Sequence, residues 1–187
     1  MQTKGNFKFD LIEPTQIPHY ANEFKQDLIK TTFEKFIAKR KYDVILLMDV
    51  LEHFKDPVAN LKKAKLLLKE NGILVIQTPN YKSLMARICK DWAWWMIEDH
   101  KFFFSPKSLK KILNKAGFET EYFKTYEGWE DFKKNLDGNF MKIKSAFLRK
   151  FIKGLSLSLF FSIYFLTRKV LWKFKYGGLL FVTTKKG

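Results

Sequence analysis

Residues 42–48 read YDVILLM, a nearly unbroken apolar run of strand length, as a parallel strand covered on both faces requires. Asp56-Pro57 then opens a helix in which Val58, Leu61, Lys65 and Leu68 share one side, and Asn71-Gly72 stops it with residues suited to a left-handed C-cap. Residues 73–78 (ILVIQT) form the next strand. Strand, helix and strand joined by short connections make a βαβ unit, whose right-handed crossover makes the strands parallel. The class is therefore α/β.

Weaker patterns flank this unit. Residues 7–12 (FKFDLI) read as a short strand ending at Glu13-Pro14, residues 18–26 as a turn or two of helix, and residues 27–31 as a second strand. On the other side come a short helix over 83–90 and an aromatic-rich loop over 91–104 that holds three tryptophans and His100. Ser105 is an N-cap with Pro106 at the first helical position; Leu109, Ile112, Leu113 and Ala116 repeat at helical spacing, and Gly117 closes the helix. Residues 118–126 and 178–184 read as the last two strands, with residues 129–176 inserted between them.

Within the insertion, Leu148, Ile152, Leu155, Leu159, Ile163, Leu166 and Val170 recur at helical spacing, flanked by Arg149, Lys150, Lys153, Arg168, Lys169 and Lys173. One or two amphipathic helices are expected. The uncharged run at 155–166 is about 18 Å long as a helix, against a hydrocarbon core of about 30 Å, so it should not span a bilayer. It is suited to lie in a membrane interface or to serve as a lid on the domain's own core.

Composition narrows the picture. A chain of 187 residues with 47% hydrophobic content fits one globular domain over 1–187 and excludes disorder. Cysteine occurs once, as Cys89, which excludes a disulfide framework and fits a reducing, cytoplasmic compartment, peripheral at the membrane if the insertion docks there. No secretory signal is evident in the first twenty residues. The net charge of +16 is uneven: residues 1–137 carry 24 basic and 19 acidic side chains, residues 138–187 carry 11 basic and none acidic. Such a tail attracts phosphates, on an anionic membrane surface or in nucleic acid. No nucleic-acid module accompanies it, so an RNA-directed role ranks last and no nucleic-acid partner is expected.

The stretch from Tyr42 to Phe118 joins YDVI, MDVLEHF (48–54), DP (56–57), NGILVIQTPN (71–80), DW (91–92), His100, FFFSPKSL (102–109) and KAGFE (115–119) in order. It resembles the class I S-adenosylmethionine-dependent methyltransferases, in particular the small-molecule group related to quinone-biosynthesis O-methyltransferases. That resemblance implies a Rossmann-like sheet with helices on both faces, strand order 3-2-1-4-5-7-6 with the last strand antiparallel, and the cofactor S-adenosylmethionine across the carboxyl ends of the first four strands. The strands above then correspond to the second through the seventh. The family's first strand and glycine-rich turn belong upstream of Glu13, where MQTKGNFKFDLI offers only Gly5. The expectation is a truncated domain, a fragment, or a chain that has lost cofactor binding. Its fourth strand is then either an exposed edge open to self-association or paired with the second.

Residue by residue, the resemblance implies that Glu13 binds the cofactor's ribose hydroxyls, that Thr32 and Phe33 border adenine, and that Asp49 and Val50 lie near the methionine half. His53 and His100 are candidate bases, since an imidazole with a pKa of about 6.5 can take the proton released when a hydroxyl is methylated. Trp92, Trp95 and Asn80 are candidate residues for binding the acceptor. Asp49, Glu52, His53 and His100 also form a DxxEH-plus-His set of the kind that binds divalent cations, but carboxylate and imidazole alone name no ion, and no resident metal is expected. The function expected is methylation of a small molecule, at oxygen, on a lipid-like or lipid-linked acceptor. The alternative is a non-catalytic binding or membrane-associated module.

Overall fold

Two proline-started helices frame the sheet. Asp56 accepts a hydrogen bond from Ala59 N at 2.9 Å and starts α1 (Pro57–Leu67). Ser105 forms a reciprocal capping box with Ser108 and starts α3 (Pro106–Lys115). Each cap satisfies an otherwise orphaned amide and contributes about 1 kcal/mol. The computed structural model describes residues 8–14, 28–89, 92–128, 133–135 and 143–187.

The chain divides into two units, residues 1–40 and residues 41–187. In the first, β1 (Leu11–Ile12) and β2 (Leu28–Ile29) pair in parallel, and Arg40 meets Asp10 at 3.1 Å. The helix expected over 18–26 and the strand start at Asp27 lie outside the described residues.

The second unit runs β3 (Tyr42–Met48), α1, β4 (Leu68–Pro79), α2 (Leu84–Ile88), α3, β5 (Phe118–Tyr126), α4 (Ala146–Lys173) and β6 (Leu179–Lys186). Its sheet has the order β3-β4-β6-β5, with β3 parallel to β4 and β6 antiparallel to both neighbours. In the correspondence drawn above this is 4-5-7-6, and the two-stranded sheet supplies 3-2. The fold is thus the Rossmann-like α/β arrangement anticipated.

Packing follows the period-two alternation of the strands. Leu74, Ile76, Leu180 and Val182 are wholly buried together with Leu61 of α1 and Leu109 and Leu113 of α3; the two helices pack on each other and on β4 and β5. On β3, Ile45 and Leu47 are buried while Val44, Leu46 and Met48 are exposed. Of the two arrangements anticipated for β3, pairing with β1 is not the one seen: among the described residues β3 pairs with β4 alone and ends its sheet.

The junction after α1 differs from expectation. The helix ends at Leu67, and β4 begins at once with Leu68 opposite Tyr42, so Asn71-Gly72 lies within a strand rather than at a helix stop. Gly72 is needed for clearance, because a Cβ there would come within 3.0 Å of Tyr42 O. Gly117 does close α3, with φ 82°, and the amphipathic segment of the insertion forms one continuous 28-residue helix, α4.

Candidate functional site

The carboxyl ends of β3 and β4 lie side by side because the strands are parallel and paired as far as Met48 and Gln77. Asp49 then takes φ 52°, a left-handed conformation that aspartate tolerates better than most residues. Its amide donates to Gln77 O at 3.0 Å, and its carboxylate accepts from Gln77 Nε2 at 2.9 Å. Tyr126 OH donates in turn to Gln77 Oε1. A polar chain therefore crosses the rim from β5 to the end of β3.

Beyond this bend a single 3-10 turn, Leu51–His53, starts at half-buried Val50, whose carbonyl accepts from His53 N at 3.1 Å. The turn sends its two polar side chains into different surroundings. Glu52 is 1% exposed; Thr78 donates to its Oε2 at 2.8 Å, while its Oε1 has no hydrogen-bond partner among the described residues. Burial pushes the Glu52 carboxyl up to about 7, with the nearby Asp49 charge adding to the rise. His53 is exposed, and its Nδ1 lies 3.1 Å from Asp99 O.

His100 arrives from the aromatic loop. The loop is fastened to the turn by two amides, Lys101 N and Phe102 N, which donate to Glu52 O at 2.9 and 3.2 Å. His100 is 4% exposed, its Nδ1 lies 3.1 Å from Trp94 O, and its ring meets that of His53 edge-on at 4.8 Å. Since a carbonyl only accepts, both Nδ1 atoms carry a proton, which leaves Nε2 as the position at which each ring can exchange one. Burial, and then the neighbouring His53, lower the His100 pKa and hold the ring neutral. One ligand atom each from Glu52, His53 and His100 lies within 4.8 Å of the other two.

This cluster can accept a proton or coordinate a cation. Imidazoles oriented by backbone carbonyls, beside a carboxylate with an unused oxygen, are the arrangement metal-binding histidines adopt. Asp49 is not a member of the cluster; its carboxylate is engaged by Gln77.

The remaining expected residues are placed as follows. Asn80 is wholly buried: its Nδ2 donates to Lys175 O and Gly177 O at 3.2 and 2.8 Å, and its Oδ1 accepts from Lys82 N at 3.1 Å. Those bonds fasten the end of α4 to the rim and engage both ends of the Asn80 amide within the chain. Trp92 is likewise packed inward with Met85 and Cys89, 2% exposed. Trp95, 38% exposed, stacks edge-on against both Trp92 and Phe103 and keeps a face toward solvent. Asp91 lies outside the described residues.

Glu13, Thr32 and Phe33 belong to the first unit. Glu13 follows β1 half-buried, with its amide donating to Ile29 O at 3.3 Å. Thr32 opens a turn by accepting from Phe36 N at 3.0 Å, and Phe33 is 9% exposed. Sequence reasoning missed Thr78, Gln77 and Tyr126. Thr78 had a visible signal, as a hydroxyl at a buried alternation position of an otherwise apolar strand.

Comparison with known proteins agrees with this architecture. Residues 2–122 match the family model described as a methyltransferase domain. A ubiquinone biosynthesis O-methyltransferase of Cereibacter sphaeroides (strain ATCC 17029 / ATH 2.4.9) is 35% identical over 101 residues, covering 50% of this chain and 41% of the relative. That of Dinoroseobacter shibae is 37% identical over the same length and the same shares. The chain thus spans less than half the length of these relatives. Among solved structures, a possible histamine N-methyltransferase of Thermotoga maritima superimposes with a TM-score of 0.58 at 18% identity, covering 94% of this chain and 72% of its own. An S-adenosylmethionine-dependent methyltransferase of Archaeoglobus fulgidus gives 0.57 at 20% identity, covering 94% and 74%. These two likenesses speak for the fold.

Proposed function

Because this chain belongs to the methyltransferase domain family, we propose that it serves the transfer of a methyl group from S-adenosylmethionine to an oxygen of a small hydroxylated acceptor. S-adenosylmethionine is the cofactor that membership implies. When bound, it supplies an electrophilic methyl on sulfur. Taken unit by unit, Glu13 of the first offers a carboxylate of the kind that accepts from ribose hydroxyls, and Asp49 and Val50 of the second stand half-buried at that unit's own rim. The acceptor we favour is lipid-like, given the apolar helix that joins the same rim.

The observation that carries the proposal is the pair of imidazoles at the carboxyl rim, each with Nδ1 set on a backbone carbonyl. In-line transfer demands mainly that acceptor and methyl be held at about 3 to 3.5 Å. As the methyl would pass from sulfur to the acceptor oxygen, breaking the sulfur–carbon bond and releasing S-adenosylhomocysteine, the hydroxyl proton would go to an imidazole Nε2. Exposed His53 is suited to take it, and buried His100 to orient it. Trp95 and Phe103 offer apolar faces for an aromatic acceptor ring.

A second reading, favoured by the unpartnered Glu52 Oε1, is that Glu52, His53 and His100 hold a divalent cation. Imidazole with carboxylate suits zinc or manganese. A bound cation would supply Lewis acidity for the acceptor hydroxyl, and it would keep Glu52 ionised.

The test is production of S-adenosylhomocysteine from S-adenosylmethionine with a catechol acceptor, alongside calorimetric titration of the cofactor. Turnover supports the proposal. Absence of both turnover and heat at millimolar cofactor would overturn it in favour of a non-catalytic binding role. Titration with manganese or zinc, repeated on His53→Ala, decides the second reading.

A further inference from the structure

We infer that α4 is a docking helix for an anionic lipid surface, lying in the plane of the membrane interface. The first observation is a continuous apolar stripe. Phe151, Leu155, Leu159, Ile163, Leu166 and Val170 are all 52% exposed or more, with 79% at Leu166. Their spacing of three or four residues confines them to an arc of about 120° at 100° per residue. A soluble protein seldom leaves such a row in water unless something covers it.

Charge identifies what covers it. No Asp or Glu occurs in residues 138–187, and the lysines and arginines of the helix gather at its two ends, Arg149, Lys150 and Lys153 at one, Arg168, Lys169 and Lys173 at the other. The uncharged stretch between them, residues 154–167, is about 21 Å long as a helix, short of the roughly 30 Å hydrocarbon core. Among the described residues, no helix is long and apolar enough to cross a membrane. An apolar stripe with cationic ends therefore fits a helix sunk to the level of the acyl boundary, its lysines and arginines reaching headgroup phosphates. A second copy of the chain would bring like charges together at both ends.

The attachment of α4 gives the docking a direction. Trp172 O accepts from Thr125 Oγ1 at 3.0 Å, Tyr176 O from Leu84 N at 3.0 Å, and Lys175 O and Gly177 O from Asn80. Since Leu179 pairs with Pro79, the C-terminal end of α4 meets the sheet at the same end as Glu52 and His53. A helix lying on lipid then holds that rim at the membrane.

Co-sedimentation tests this with the chain as it exists, against phosphatidylcholine vesicles and against vesicles also containing phosphatidylglycerol. The chain should pellet with the anionic vesicles at low salt. Replacing Lys169 and Lys173 by Gln should weaken that binding by about thirtyfold, each cation near the surface contributing about 1 kcal/mol. Leu159→Ser with Leu166→Ser should lower binding to vesicles of both compositions. Failure to pellet, or binding unmoved by either pair, would overturn the inference, as would a stable dimer in sedimentation velocity that the Leu→Ser pair dissociates. All four positions are exposed, so circular dichroism should be unchanged. Docking does not rest on methyl transfer: cofactor titration of the same variants reads that proposal separately.

Discussion

The carboxyl rim of the sheet and helix α4 depart from ordinary burial in opposite senses. At the rim, ionisable groups are withdrawn from water, Glu52 to 1% and His100 to 4% exposure. Along α4, large apolar groups are left in it, Phe147 at 82% and Leu166 at 79%. Both arrangements cost free energy in isolation, since a buried carboxylate loses hydration and an exposed leucine forgoes transfer. The rim is compensated partly from within, by Thr78 and the backbone carbonyls that hold both imidazoles. Among the described residues the exposed row of the helix has no such cover, and the lipid surface proposed above would supply it. What a region leaves unsatisfied indicates the kind of ligand it meets.

The contrast can be broken most forcefully at His53. His53→Ala should lower methyl transfer by about 10² to 10⁴ while leaving unfolding nearly unmoved, because the ring is exposed; equal activity would reduce the rim to a structural feature. Glu52→Gln comes next. The folded-state pKa of Glu52, about 7, lies above its ordinary 4.5, so native protein holds an extra proton between those values and stability falls as pH rises through that window. The neutral amide removes that fall and should gain on the order of 3 kcal/mol over the parent at pH 8, with no gain at pH 4, read by urea unfolding. If a cation occupies the cluster, its addition should abolish the gain.

Asn80→Ala should cost about 2 kcal/mol, since buried carbonyls lose their donor. If Asn80 instead contacts the acceptor, KM would move and stability would not. The smallest effect belongs to the helix. Leu166→Ser should change folding stability by less than about 0.5 kcal/mol in solution, and a larger loss would mean that α4 is covered by the chain itself.

Much of the second unit was legible because its signals are local. Asp56-Pro57, Ser105-Pro106 and Gly117 act within a turn of where they stand, and each does what its residue type dictates. The boundary between α1 and β4 was not, because Leu68 satisfies a helical period and a strand period equally, and pairing with Tyr42 decided it. The surroundings of Asn80 were hidden for a related reason: its partners are 95 and 97 residues away, beyond any pattern. Among the tryptophans, sequence offered three similar rings, and only packing sorted Trp92 inward from Trp95. The cluster of Glu52, His53 and His100 was visible as residue types, whereas the carbonyls that fix its tautomers were not.

The place of β6 has a consequence for how the molecule is made. It follows every other strand in the chain yet sits between β4 and β5, with Ile73 opposite Lys185. Pairings of such sequence separation form slowly, and during synthesis β4 and β5 emerge with no strand yet between them. Until residues 179–186 pair, β4 and β5 lack the strand that joins them, so an edge of each stands open to a chaperone while the sheet is unfinished.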